Sequence, residues 1–373
     1  MDTFEITCEK CSLKASDIDI TSSKKWKCPS LTDEYEFVEK TKQLINYEDR
    51  KTSYICDMGF MYAKLINNDY ISVEFNKTTR NFQMIEMFDY LHNFINKYKG
   101  IDLDGHMKRQ LHREIGCFNI MSISYNSDDI LLFNHFISKY NLEWDWSVFG
   151  NVPHNISFAN KKKYSIGIDG DGQVSVANIR HMKITHGNTI NLFISDAYTL
   201  LHIMMAITTL KKGGYLLSPL FVDCNLQNLN TLYLLSMYFE KISIIQPFIL
   251  ERPYDCSYIL CENYKEMNTT IYNKIMSQLN ILPEGPNKYI DFGVTDEFID
   301  DFVKIYKKLI NRQCTNLLRD IDLVDKHKNA DILDVTKSMK SIYKQSYDAW
   351  IEHFKFAELE DIDKMNLFVV SRF

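Results

Sequence analysis

The sequence predicts an α/β fold, a mainly parallel sheet flanked by helices, and two observations carry that expectation. Between Cys117 and Tyr264, short apolar runs suited to buried strands alternate with longer stretches of helical periodicity. That alternation is expected of a parallel, helix-flanked sheet. One of the runs, "INLFISD", ends on a lone acid, Asp196. Open α/β sheets gather ligands and chemistry at the carboxyl ends of their strands, so this position is a site candidate. A helix N-cap for the following "AYTLLHIMMAITTL" explains the same acid.

Composition narrows the class. The chain has 373 residues, 45% hydrophobic and 25% charged, ample for one large α/β domain with additions. Only 13 Gly and 7 Pro argue against long linkers, and neither low-complexity windows nor solenoid repeats occur. Charges break every apolar run before membrane-spanning length, and the N-terminus lacks a signal pattern, so no membrane association is expected. Nine cysteines without framework spacing suit a reducing compartment. The net charge of −6 offers no general attraction to nucleic acid, so such binding would need a local basic patch.

Three regions are expected: an N-terminal extension over 1–80, an α/β domain over 81–290 and a helical region over 291–373. The first holds Cys8-x-x-Cys11, Cys28 and a possible hairpin at "DYISVEF". One Cys-x-x-Cys is half a zinc site, and without a completing pair no metal is predicted. Apolar residues Met84, Phe88, Leu91, Ile95 and Tyr98 recur at helical spacing. A more basic helix follows over Asp102–Ile115, then a buried strand at "CFNIMSIS", a helix at "DDILLFNHFISKY" and a strand at "LEWDWSVFG". Beyond the Asp196 region, Leu226–Phe239 reads as an apolar helix, with "ISII" and "SYILCE" as strands. Thr295 caps a helix whose buried stripe is Phe298, Phe302, Ile305 and Leu309. The remainder reads as mainly helical.

The stretch from Ile190 to Phe221 resembles the core of FtsJ-like ribose 2′-O-methyltransferases, most closely the cap methyltransferases of large DNA viruses. The run of strand, Asp, apolar helix, Lys211-Lys212-Gly213-Gly214 and strand carries the likeness, with "GGYLLSPLF" at the family's Gly-Gly-x-Phe-Val-x-Lys-x-Phe. "IGIDGDGQV" is similar to the family's glycine-rich segment, and "QPFILERPYDCSYILCE" to its Lys-Pro-x-x-Ser-Arg…Ser-Glu segment. The resemblance covers about Phe82 to Tyr264. It implies a Rossmann-like methyltransferase fold, with a mixed N-terminal region and a helical C-terminal extension.

The family's catalysis rests on Lys-Asp-Lys-Glu, in which the strand lysine acts on the ribose hydroxyl and neighbouring charges set its pKa. Asp196 matches the Asp. Pro219 stands at the strand lysine and has neither an ionisable group nor an N–H. The Glu falls at Cys256 or Ser257, and the first Lys at about Leu111, with Lys108 one turn away. The donor loop's glycines are replaced by "YNSDD", and Ala197-Tyr198 stand in place of Gly-Gly. The resemblance therefore implies a degenerate enzyme in which Asp196 is insufficient alone and no cofactor is expected.

A retained capped-RNA site would need aromatic faces for a cationic guanine, an acid, and basic residues for phosphates. Phe221, Asp223, Tyr198 and Trp146 are the cap candidates, with Trp144 beside them. Lys108, Arg109, Arg113, Lys161, Lys162, Lys163, Arg180 and Lys183 are the RNA candidates, although solvated surface charge explains any one of them. The implied function is an inactive methyltransferase homologue binding capped RNA, alongside a protein partner in capping, transcription or translation. Host cytoplasm or a virion is the expected location. One alternative is an active cap methyltransferase using S-adenosylmethionine, with Lys108 or Lys212 replacing the lost lysine. The other is a scaffold subunit without an RNA site.

Overall fold

The computed structural model describes residues 2–6, 13–22, 31–47, 49–56, 79–91, 118–123, 144–151, 161–221, 225–249, 256–282 and 288–353. In chain order the elements are β1 (Asp2–Ile6), a 3-10 turn (Ala15–Asp17), β2 (Asp19–Ser22), α1 (Thr32–Lys42), α2 (Arg50–Cys56) and α3 (Thr79–Tyr90). Then come β3 (Phe118–Ile123), β4 (Trp144–Phe149), β5 (Tyr164–Ser165), α4 (Val176–His186), β6 (Ile190–Ile194), α5 (Leu200–Thr209) and β7 (Leu210–Phe221). The rest are α6 (Leu226–Tyr238), β8 (Phe239–Gln246), β9 (Cys256–Tyr264), α7 (Thr269–Ile281), β10 (Lys288–Asp291), α8 (Asp296–Lys326) and α9 (Ile332–His353). The fold is Rossmann-like α/β. Its helices flank a sheet whose parallel strands match the expected class.

The chain divides into two units. The first comprises Met1–Leu44, Ile166–Gln246 and Tyr254–Arg319, and its strands lie in the order β1-β8-β9-β7-β6. β6 and β7 are parallel, whereas β9 runs antiparallel to both β7 and β8. β7 and β8 therefore share a direction, with β9 inserted between them. β1 closes the edge antiparallel to β8, pairing Phe4 with Ile244. β2 and β10 form a separate antiparallel ribbon.

Burial explains the continuous apolar runs. Every residue of β6 is buried, and β8 is buried from Ile242 to Gln246. A strand covered on both faces needs no polar alternation. β7 contains an irregularity. Ile190 pairs with Leu210, yet Leu192 pairs with Tyr215, so Lys211–Gly214 bulge out of the ladder. The two glycines permit this: Gly213 has φ +79°, and a Cβ on Gly214 would come within 2.8 Å of the Lys211 carbonyl oxygen. In α8, Thr295 Oγ1 accepts from Phe298 N as expected, and Phe298, Phe302, Ile305 and Leu309 are all buried.

The second unit comprises Ile45–Ser165, Pro247–Pro253 and Asp320–Phe373. Its strands β3, β4 and β5 are parallel. Its most specific polar feature is Glu86 on α3, which is fully buried. Glu86 accepts from Phe248 N at 2.6 Å, from Ile249 N at 3.3 Å and from Trp350 Nε1 at 2.9 Å. Gln83, one turn earlier, donates to Ile249 O, and Phe82 meets the Trp350 ring edge-on at 5.5 Å. Burial outweighs the three donors and pushes the Glu86 carboxyl up to about 7.

The predicted "DYISVEF" hairpin, the Asp102–Ile115 and "DDILLFNHFISKY" helices and Cys8, Cys11 and Cys28 lie outside the described residues. Among the described residues, no helix is long and apolar enough to cross a membrane, and no group of three metal-ligating side chains occurs.

Candidate functional site

In the first unit, α4, α5 and α6 each precede or follow a strand so that their N-termini open at one end of the sheet. Each is capped by a side chain: Ser175 Oγ accepts from Asn178 N, Thr199 Oγ1 from His202 N, and Asn225 Oδ1 from Asn228 N. A cleft of about 450 Å³ lies there, lined by Ser175, Thr199 and Gln227 near these termini. Leu279 and Leu282 at the end of α7, and Tyr289, Ile290 and Phe292 at β10, complete much of its wall. The far side is anchored by Asn230, whose Oδ1 accepts from Phe292 N at 3.0 Å.

Asp196 does follow the carboxyl end of β6, but it does not cap α5. That expectation is corrected: the cap is Thr199, with φ −120° and ψ 156°. The physical reason is the intervening turn. Ser195 Oγ donates to Ala197 O at 2.7 Å and Ser218 Oγ to the same carbonyl at 3.3 Å, so Ser195–Tyr198 form a folded connection. Asp196 sits three residues too early to meet the first helical amides. Its Oδ1 instead lies 3.4 Å from His202 Nε2, both side chains being about one-fifth exposed. His202 Nδ1 lies 2.6 Å from Thr199 Oγ1. Sequence reasoning missed His202 and Thr199. The signal was the spacing of three between them, which places residues on one helical face.

The glycine-rich segment before α4 folds around Asn178. Its Oδ1 accepts from Ile168 N, and its Nδ2 donates to Gln173 O. Gly167, at φ +72°, is required because a Cβ would fall 2.1 Å from Asn178 Oδ1. The two acids of this segment serve the loop: Asp169 accepts from the Ser175 hydroxyl and Asp171 from Gln173 N.

Pro219 is buried within β7, paired opposite Tyr258, and the stations of the family's Glu, Cys256 and Ser257, are buried in β9 opposite Phe221 and Leu220. Phe221 ends β7 with 49% of its surface exposed. Tyr198 is 9% exposed, in the turn before α5. Arg180 is exposed on α4, and the Lys183 ammonium lies 3.5 Å from the centroid of the Tyr272 ring.

In the second unit, Trp146 lies on β4, within the strand expected at "LEWDWSVFG", and is buried there. It is 5% exposed and meets Tyr164 edge-on at 6.0 Å. Strand pattern explains this, because alternate residues of β4 face the core. Lys163 pairs with Asp145 and lies 6.0 Å from the Trp146 ring centroid, while Lys161 and Lys162 are exposed. Lys108, Arg109, Arg113 and Asp223 lie outside the described residues, as does the side chain of Trp144.

No protein-family model matches the chain, and no curated protein matches it. Among solved structures, the chain is similar to a putative class I S-adenosylmethionine-dependent methyltransferase from Listeria monocytogenes. That match has 12% identity and a TM-score of 0.29, and covers 68% of this chain and 98% of that one. It is also similar to a probable spermidine synthase from Corynebacterium glutamicum, at 11% identity and a TM-score of 0.29, over 52% of this chain and 74% of that one.

Proposed function

We propose that this chain is a methyltransferase-derived protein that no longer transfers a methyl group to ribose and binds a capped RNA 5′ end beside the end of β7. The methyltransferase ancestry is supported by the placement of the resembling motifs on a Rossmann-like fold. Asp196 follows β6, the paired glycines open β7, and the segment resembling Ser-Glu enters β9.

One observation carries the functional reading. Pro219 and Phe221 are two residues apart on an unbroken part of β7 and so share a face. The position of the general base holds a buried ring without an ionisable group, and the next residue on that face is an exposed aromatic. Deprotonation is lost there, while a stacking surface for a base is present. Arg180 offers a cation for the RNA chain within the same unit.

The test combines two measurements on the full chain. Quenching of intrinsic fluorescence by a 7-methylguanosine cap analogue is expected to saturate, with weaker binding of GTP. Incubation with capped RNA and S-adenosylmethionine is expected to yield no 2′-O-methylated product. Equal affinity for the two nucleotides would leave a scaffold role, and robust methyl transfer abolished in Asp196→Ala would restore the enzyme reading.

A further inference from the structure

Glu86 joins three stretches of the second unit that are distant in sequence. Its Oε2 accepts from Phe248 N, and its Oε1 accepts from Ile249 N and Trp350 Nε1. Pro247–Ile249 thus form a strap tied down on α3. Gln83 Nε2 fastens the same strap by donating to Ile249 O at 2.8 Å. The strap has no regular secondary structure, so side chains of α3 hold it where a ladder otherwise would. Ile249 is fully buried whereas Phe248 is 40% exposed, which places solvent directly outside the strap. The chain enters it from β8 and continues toward β9, whose first residue, Cys256, pairs with Phe221.

Neither charge state of Glu86 satisfies this arrangement completely. The carboxylate gives all three N–H groups an acceptor but is cut off from water, which is costly for a charge. The neutral acid escapes that cost, but its O–H is a donor among donors, so one N–H loses its acceptor. Burial decides the balance and raises the carboxyl to about 7, against the hydrogen bonds from Phe248, Trp350 and Ile249 and the charge of the chain's amino terminus. The strap itself carries no ionisable side chain. On α3, Arg80 and Tyr90 are half-buried. On α9, within two turns of Trp350, Lys344 pairs with Asp348, and both are exposed, as is Glu352. The side chains of Asp89 and His353 lie outside the described residues.

We propose that the strap is a pH-sensitive latch: with Glu86 protonated it stays closed on α3, and with Glu86 ionised it opens locally, admitting water to the carboxylate and freeing the chain that leads into β9. Linkage fixes the direction. Opening returns the carboxyl to its solvated behaviour near 4.5, so between 4.5 and 7 the closed form binds more protons and acid favours it. Opening becomes easier as the pH rises, and stops changing once both forms are ionised. A strap held by side-chain hydrogen bonds and one buried isoleucine is the kind of segment that opens without the rest of its unit.

Residue-resolved hydrogen exchange on the full chain at pH 5, 6, 7 and 8 tests this, each rate being divided by the intrinsic chemical rate at that pH. The opening constant of the Phe248 and Ile249 amides is expected to rise about fortyfold between pH 5 and 7, and only about twofold from 7 to 8. The amides of Ile120 and Met121, buried in β3, report opening of the whole unit and should exchange more slowly than the strap at every pH. Glu86→Gln should flatten the strap's profile. Gln83→Ala removes an uncharged tether and should raise opening alike at every pH. A flat profile in the wild-type chain overturns the proposal. So do strap amides as slow as those of β3, or a folded Glu86→Gln variant that keeps the fortyfold rise. The profile is read on the wild-type chain, so the result does not depend on a variant folding. Cap binding plays no part in the measurement, and either reading can fail alone.

Discussion

Pro219 and Phe221 occupy the same face of β7, the first buried and the second 49% exposed. A strand normally keeps one face in one environment, so this change marks the place where the sheet meets solvent. An exposed aromatic at a strand's carboxyl end can present its face to a planar ligand without first leaving the core. Base–aromatic stacking is worth roughly 1–3 kcal/mol. Phe221→Ala should therefore weaken cap-analogue binding by about one to two decades, as read by fluorescence titration. Phe221→Trp should preserve it. Unchanged affinity in the alanine variant would place the ligand elsewhere.

The bulge in β7 predicts an order between two adjacent glycines. Gly213 has φ +79° with open space where a Cβ would stand, so alanine there incurs only the backbone cost, about 1 kcal/mol. A Cβ on Gly214 would meet the Lys211 carbonyl at 2.8 Å, Leu210 Cδ2 at 3.0 Å and the Asn191 carbonyl at 3.2 Å, and the two carbonyls are backbone that cannot rotate away. Gly214→Ala should therefore be the more destabilising, by about 1–3 kcal/mol. Urea denaturation of the two variants decides it, and the reverse order refutes the packing explanation.

Glu86 sets a pH dependence in the second unit. In the unfolded chain its carboxyl ionises near 4.5, whereas burial holds it at about 7 in the folded state. Between those values the folded state binds more protons, so the stability contributed by Glu86 is full below about pH 4.5. It is lost as the pH rises through 7, with a total of about 3 kcal/mol. Glu86→Gln should flatten this part of the stability profile. It should also cost about 1–3 kcal/mol at pH 5, because an amide NH₂ then faces one of the donors from Phe248, Ile249 and Trp350. Chemical denaturation of both proteins at pH 5, 6, 7 and 8 provides the comparison. Parallel curves would contradict the assignment.

Local pattern made much of the first unit legible. The apolar runs of β6, β8 and β9 and the periodic stripe of α8 appear where burial requires them, because each element carries its own signature. β1 was not legible, since "DTFEI" is short and its meaning comes from pairing with β8, more than two hundred residues away. Trp146 illustrates the same limit: its strand was legible, but residue type suggested a stacking surface, and only the fold shows the ring buried against Tyr164. Asp196 was recognised as a strand-ending acid, but its partner was not. His202 lies six residues on, beyond a turn whose geometry depends on two serine hydroxyls meeting one carbonyl. Thr199 reads from the sequence as a cap before an apolar helix, which is what it is.

The two cations of α4 should separate by experiment. Arg180 and Lys183 are three residues apart, and a sequence reading treats them alike. Lys183 sits over Tyr272, 3.5 Å from the ring centroid, so its charge already serves the packing of α4 on α7. Lys183→Gln should lower stability by about 0.5–1 kcal/mol, visible as a fall in Tm, and Tyr272→Leu should remove the same increment. The double variant should then lose less than the sum, because the two share one interaction. Arg180→Gln should leave Tm unchanged. If Arg180 meets an RNA phosphate, that variant should weaken binding of capped RNA of any sequence alike. The slope of log K against log salt should also become shallower by about one. An unchanged slope in Arg180→Gln, measured between 50 and 200 mM salt, would remove this residue from the RNA path and leave it a solvated surface charge.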